Sequence, residues 1–220
     1  MFTHIALPHL PQVPENLYSD FLNIDLDNTP VENDMNYTSV SNTFRQRIIK
    51  KDGQEFPTRT QRQFNLGPIA NQWVFDNLFP NTDPSWFVSF GLSVTRGAPL
   101  HGPHSDPRRW AMFYLLERGG DDAHTSFWIE PGKGVERRAN VTANNYDDLI
   151  LIDRFQWPIK QWVLFNPRVI HSVENLTGKR QSLQITCNFL PPQLEQILCS
   201  THKIAEVEES TPANGGYTIK

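Results

Sequence analysis

The stretch Gln161–Phe189, QWVLFNPRVIHSVENLTGKRQSLQITCNF, decides the fold. It reads as three short strands, Gln161–Phe165, Val169–Val173 and Arg180–Phe189, separated by turns at Asn166-Pro167 and Thr177-Gly178. Successive side chains on a strand point to opposite faces. On the last strand Leu183, Ile185, Cys187 and Phe189 therefore share one face, and Arg180, Ser182, Gln184, Thr186 and Asn188 share the other. The apolar face calls for a core. The polar face either meets water or lines a polar cavity.

The same period of two runs through the preceding chain. Val88, Phe90, Leu92 and Val94 alternate with Ser89, Gly91, Ser93 and Thr95. Further strands are expected at Arg109–Leu116, Thr125–Glu130 and Leu149–Phe155, with turn residues at Gly119-Gly120 and Pro131-Gly132. Short strands at this spacing indicate a sandwich or barrel. Residues 68–79 (PIANQWVFDNLF) read as a helix: Pro68 suits the first helical position, and Ala70, Trp73, Val74 and Leu78 form one apolar stripe. A second short helix is expected at Gln193–Cys199. The acidic stretch through Glu209 to Gly215-Gly216 reads as frayed.

Three parts follow. Residues 1–85 form an irregular N-terminal region, carrying the helix near 68–79 and packed on the core. Residues 86–190 form a mostly β core, and 191–220 a short helix with a tail. Within the core, Gly132–Asp147 is a long polar connection of the kind that serves as a lid or binding loop.

Composition narrows the function classes. The 220 residues are 38% hydrophobic and 11% aromatic, which suits a packed domain. The net charge of −4, with no Lys/Arg run, gives no electrostatic footprint of a nucleic-acid binder. No apolar stretch approaches the roughly 18 residues of a membrane span. No basic-then-apolar leader opens the sequence, so a cytoplasmic protein is expected. Cys187 and Cys199 are too few for a disulfide scaffold.

The chemistry-bearing residues begin with His104-Ser105-Asp106. On a strand, residues i and i+2 face the same way, so an imidazole and a carboxylate converge on one point. A second imidazole from elsewhere completes a two-His, one-carboxylate triad, which leaves coordination positions open on a metal. Arg180 on the polar face of the last strand suits a bidentate carboxylate clamp, and Ser182 adds a hydroxyl one pleat along.

His104-Ser105-Asp106, then His171, then Arg180-Gln181-Ser182, in this order and spacing, resemble the Fe(II)/2-oxoglutarate-dependent oxygenase superfamily. With the strand pattern, the resemblance extends over roughly residues 87–190. It implies a double-stranded β-helix of jelly-roll or cupin-like form, with flanking helices. It implies a metal at His104, Asp106 and His171, and 2-oxoglutarate held by Arg180 and Ser182 through its far carboxylate. Fe(II), 2-oxoglutarate and O2 are the implied cofactors. The implied reaction is hydroxylation of an unactivated C–H bond in an amino acid, a peptidyl side chain or another small metabolite. Asp106 argues against halogenation, which needs a halide where the carboxylate binds. A cupin-like barrel with other metal chemistry, or a vestigial site, is the alternative.

His101-Gly102-Pro103 with the following Arg109 also resembles the aspartyl/asparaginyl hydroxylase branch, where a His near Gly-Pro binds the metal and the acidic ligand is missing. The carboxylate of Asp106 favours His104 as the ligand. His101 is then a substrate-side residue, or one that supports a metal ligand, on the loop entering the strand, with the register that makes it the ligand kept as the rival. Arg109 is a candidate co-substrate contact, and either Arg108 or Arg109 can pair with Asp106. Tyr114 is a candidate cavity-facing side chain. His4, His9, His124 and His202 have no partner at ligand spacing and read as surface or loop residues.

Overall fold

The computed structural model describes residues 3–23, 39–40, 48–57, 60–83, 87–96, 99–108, 110–133, 143, 145–187 and 191–200. The C-terminal tail and most of the expected lid lie outside them. In chain order the elements are β1 (His4–Leu7), β2 (Ser39–Val40), β3 (Ile48–Lys51), β4 (Gln54–Pro57), β5 (Thr60–Asn65) and α1 (Gly67–Asn77). There follow β6 (Phe87–Arg96), β7 (His101–His104), β8 (Trp110–Arg118), β9 (His124–Ile129) and β10 (Ile150–Phe155). The chain continues with β11 (Trp162–Phe165), β12 (Ile170–Glu174), β13 (Arg180–Cys187) and α2 (Pro192–Ser200).

Two antiparallel sheets carry the core. The larger has the order β1-β11-β8-β13-β6-β5-β2, the smaller β10-β9-β12-β7. From β6 onward the chain passes between them: β6, β8, β11 and β13 in the larger sheet, β7, β9, β10 and β12 in the smaller. This winding is a double-stranded β-helix, the form that the family resemblance implied and one of the sandwich or barrel class that the strand spacing indicated. Residues before 85 contribute more strand than their weak periodicity suggested, since β1, β5 and β2 extend the larger sheet.

Alternation sorts the side chains of the larger sheet into two layers. Trp110, Met112 and Tyr114 of β8, Trp162 and Leu164 of β11, and Leu183 and Ile185 of β13 face outward. There they pack against Ala70 and Val74 of α1, Leu78, Leu194 of α2, and Val13, Tyr18 and Phe21 of the N-terminal segment. The inner layer between the sheets holds Ala111, Phe113, Leu115, Val163 and Phe165, with Phe127, Phe155, Trp157 and Val169. Each buried side chain of this size contributes about 1.5–3 kcal/mol by leaving water.

The outer face of the smaller sheet is covered by the β3–β4 hairpin. Ile49 and Phe56 pack with Leu100, Trp128, Tyr146 and Ile170. A polar chain runs through this contact: Trp128 Nε1 donates to Ser172 Oγ (2.9 Å), and Ser172 Oγ donates to Glu174 Oε1 (2.8 Å). Lys51 Nζ then reaches Glu174 Oε2 across 2.5 Å. His124, read from sequence as a surface residue, is buried on β9 opposite Glu174. His4 likewise stacks on Phe155 instead of standing in solvent.

Candidate metal centre

β7 and β12 pair antiparallel at the open side of the smaller sheet, with His104 directly across from His171. The next pair is Val173 with His101. β12 advances two residues where β7 advances three, so Gly102-Pro103 forms a bulge against Ser172. Proline is tolerated there because β7 is an edge strand. The bulge brings the rings of His101 and His104 within 4.6 Å, edge to face, and those of His104 and His171 within 4.4 Å. His101 therefore lies within β7 and not on a loop leading into it.

Asp106 differs from expectation in its backbone. β7 ends at His104, so no pleat carries the carboxylate. A turn does: Asp106 N donates to Pro167 O at 2.7 Å. The Asn166-Pro167 turn that anchors it is itself braced, with Arg168 N donating to Asn166 Oδ1 (3.2 Å) and Val169 N to Asn166 O (3.3 Å). One turn thus places Asp106 and starts the strand that bears His171.

Ligand atoms of His104, Asp106 and His171 all lie within 4.8 Å of one another. His104 Nδ1 lies 2.9 Å from Gly102 O, and His171 Nδ1 2.9 Å from Val169 O. A carbonyl has no proton to give, so each Nδ1 carries the N–H and each Nε2 the lone pair. In this tautomer Nε2 is the atom free to bind a metal. His104 Nε2 faces Asp106 Oδ1 at 3.7 Å. The donor set of two imidazoles and one carboxylate fits a divalent transition metal with open positions.

Electrostatics agree with that fit. Burial, with His104 beside it, lowers the pKa of His171 to about 3, which keeps its imidazole neutral. Burial pushes Asp106 upward, but the Arg108 guanidinium and the two imidazoles outweigh it and hold the carboxyl well below the usual range. Arg108 Nε donates to Asp106 Oδ2 at 3.1 Å, and its Nη2 donates to the same oxygen. Arg109 lies outside the described residues.

The other sequence-derived site residues separate. Arg180, Ser182, Gln184 and Thr186 are buried, so the polar face of β13 is not simply wet. Arg108 Nη1 donates to Thr186 Oγ1 at 3.1 Å, which ties the metal-side carboxylate to this face. At the other end of the strand the Arg180 guanidinium lies 5.9 Å from the Trp157 ring centre, with Nη1 donating to Arg118 O at 3.2 Å. Tyr114 is a correction. It packs against Trp162 (5.1 Å between ring centres) in the outer layer, and Phe113 takes the inward position.

Among solved structures the chain is similar to an oxidoreductase of the 2OG-Fe(II) oxygenase family from Burkholderia pseudomallei. Identity is 9%, coverage 68% of this chain and 76% of that one, and the TM-score 0.36. It is also similar to E. coli ycfD, at 10% identity, 79% and 51% coverage and a TM-score of 0.39, so it spans about half of that protein. A cupin-like protein from Thermotoga maritima gives 13% identity, 66% and 80% coverage, and a TM-score of 0.28. No protein-family model matches the sequence, and no curated protein sequence does. The fold assignment therefore stands on the strand winding itself. No described helix is long and apolar enough to cross a membrane.

Proposed function

We propose that this chain is an Fe(II)- and 2-oxoglutarate-dependent oxygenase acting on a small-molecule or peptidyl substrate, most simply by hydroxylating an unactivated C–H bond. The observation that carries the reading is the meeting of His104, Asp106 and His171 on the inner side of a double-stranded β-helix. His104 and His171 would hold the metal through Nε2 and Asp106 through Oδ1. A metal held there would supply Lewis acidity and redox chemistry toward O2.

The remaining work belongs to the protein. Arg180 and Ser182 would hold the far carboxylate of 2-oxoglutarate on the same strand face that Arg108 joins, through Thr186, to Asp106. The planar guanidinium suits a carboxylate by geometry as well as charge. The aromatic inner layer of Phe113, Phe127, Trp157 and Phe165 keeps bulk water from the floor of the site. His101, packed on His104, would meet substrate.

The test is succinate release from 2-oxoglutarate with Fe(II) and ascorbate, over a panel of amino acids and peptides. Slow release is expected without substrate and faster release with the right one. His104→Ala should lose iron and turnover together, whereas His101→Ala should keep iron. Loss of iron in His101→Ala with retention in His104→Ala reverses the assignment. Tight metal binding with no succinate under any condition points to a cupin-like site of other chemistry.

A further inference from the structure

Arg108 uses its guanidinium in an unusual way. An arginine–carboxylate pair commonly forms two parallel bonds, one to each oxygen. Here Nε and Nη2 both converge on Asp106 Oδ2, while Oδ1 is left facing His104 Nε2. The third arm, Nη1, donates to Thr186 Oγ1 at 3.1 Å on β13. Pro107 stands between the two residues and fixes its own backbone angle.

Resting on the metal reading above, we propose that Arg108 is a positioning residue that makes Asp106 a one-oxygen ligand and locks its orientation to β13. A carboxylate free to turn can bind a metal through both oxygens. That would fill one of the positions that a chelating co-substrate and O2 need. With Oδ2 engaged twice by Arg108, Oδ1 is the oxygen that faces His104 Nε2. Lysine cannot replace this arrangement, because a single ammonium on a flexible stem lacks the planar fork that spans Asp106 and Thr186 at once. The link also makes the acidic metal ligand and the strand bearing Arg180 one mechanical unit.

The experiment uses Co(II) as the probe, with full-length wild type, Arg108→Gln, Arg108→Lys and Thr186→Val. Two quantities are read: the Co(II) dissociation constant, and the separation of the antisymmetric and symmetric carboxylate stretches in loaded-minus-metal-free infrared spectra. That separation is wide for one-oxygen and narrow for two-oxygen ligation, and a change in stability alone does not move it. Wild type should bind Co(II) with a wide separation. Arg108→Gln should weaken binding by about ten- to a hundredfold, the range for partners of metal ligands, and narrow the separation. Arg108→Lys should recover part of the affinity but not the separation. Thr186→Val, close in shape, should give an intermediate loss, and it carries the test if Arg108→Gln does not fold. Dissociation constants within twofold of wild type and an unchanged separation, in the Arg108 variants or in Thr186→Val alone, overturn the proposal. Wild type that binds no Co(II) instead sinks the metal reading beneath it.

Discussion

Replacing Lys51 with Met strands a buried carboxylate. Glu174 is 1% exposed, and Lys51 is its cationic partner at 2.5 Å. Without that ammonium the carboxylate keeps the Ser172 hydroxyl on Oε1. Breaking a fully buried pair from one side costs about 3–5 kcal/mol. The Lys51 side chain is 25% exposed, so water softens the loss and the lower end, about 3 kcal/mol, is expected. For a chain of this size that is roughly 6–12 °C in Tm. Glu174→Gln should cost less, about 1 kcal/mol, because the orphaned ammonium can turn to water while the amide keeps a bond to Ser172.

The sign of the pH dependence follows. Burial raises the Glu174 pKa, but bonds from Lys51 and Ser172 outweigh it and leave the group below 4.5. In wild type the pair stabilises above that value, and its contribution is lost as pH falls through the folded pKa. In Lys51→Met burial dominates and the pKa rises. The penalty is then full at neutral pH and fades as pH drops toward the unfolded value, where the carboxyl is neutral in both states. Thermal and urea unfolding followed by circular dichroism, from pH 4 to 8, measure this. A Lys51→Met penalty that is flat with pH, or no larger than that of Glu174→Gln, refutes the reasoning.

Other outcomes are expected from the same structure. Arg180→Ala should raise the apparent requirement for 2-oxoglutarate by tenfold or more, since a charge-assisted bond is worth about 1.5–3 kcal/mol; co-substrate titration with a folding control checks it. His171 is depressed to about 3 in the fold, so the unfolded chain binds the extra proton between that value and 6.5. Metal-free protein should therefore lose stability as pH falls from 6.5 toward 3, and His171→Asn should flatten that part of the unfolding profile. Gly119→Ala should be destabilising. Its φ of +89° disfavours a side chain, and the new Cβ would sit 2.7 Å from Leu176 Cδ2 and 3.0 Å from Arg180 Cβ. The backbone alone accounts for about 1–2 kcal/mol, read as a shift in denaturation midpoint.

Legibility in the sequence tracked how plainly burial imprints a period. β6 and β8–β13 alternate clearly, or run apolar between turns, and their positions were readable within a few residues. β7 was legible only through its His-x-Asp and with shifted bounds, 101–104 instead of a strand through 104–106: HGPH has no alternation, because a bulge breaks its ladder and pairing, not hydrophobicity, holds it. β5 was missed because TQRQFN is nearly all polar, although Phe64 is buried from it. His124 looked solitary because its neighbour Glu174 lies 50 residues away and arrives only through the pairing of β9 with β12. Tyr114 was misread for a different reason. Both faces of β8 are buried, so alternation separates Tyr114 from Phe113 without saying which of them looks inward.

The strand that carries His101 and His104 is also the outermost strand of the smaller sheet. Its inner side is paired to β12 through an interrupted ladder, and its outer side takes a hydrogen bond from Ala143 N to Pro103 O. An edge of this kind detaches at a fraction of the cost of global unfolding. On the proposed function, two of the three ligands, Asp106 and His171, would be held by the Asn166-Pro167 turn and the central strand it starts, whereas the third would ride on the edge strand. A bound ion would then come and go by peeling one short edge while the aromatic interior stays shut. Metal exchange and amide hydrogen exchange at residues 101–104 should share one rate-limiting opening, faster than exchange along β12.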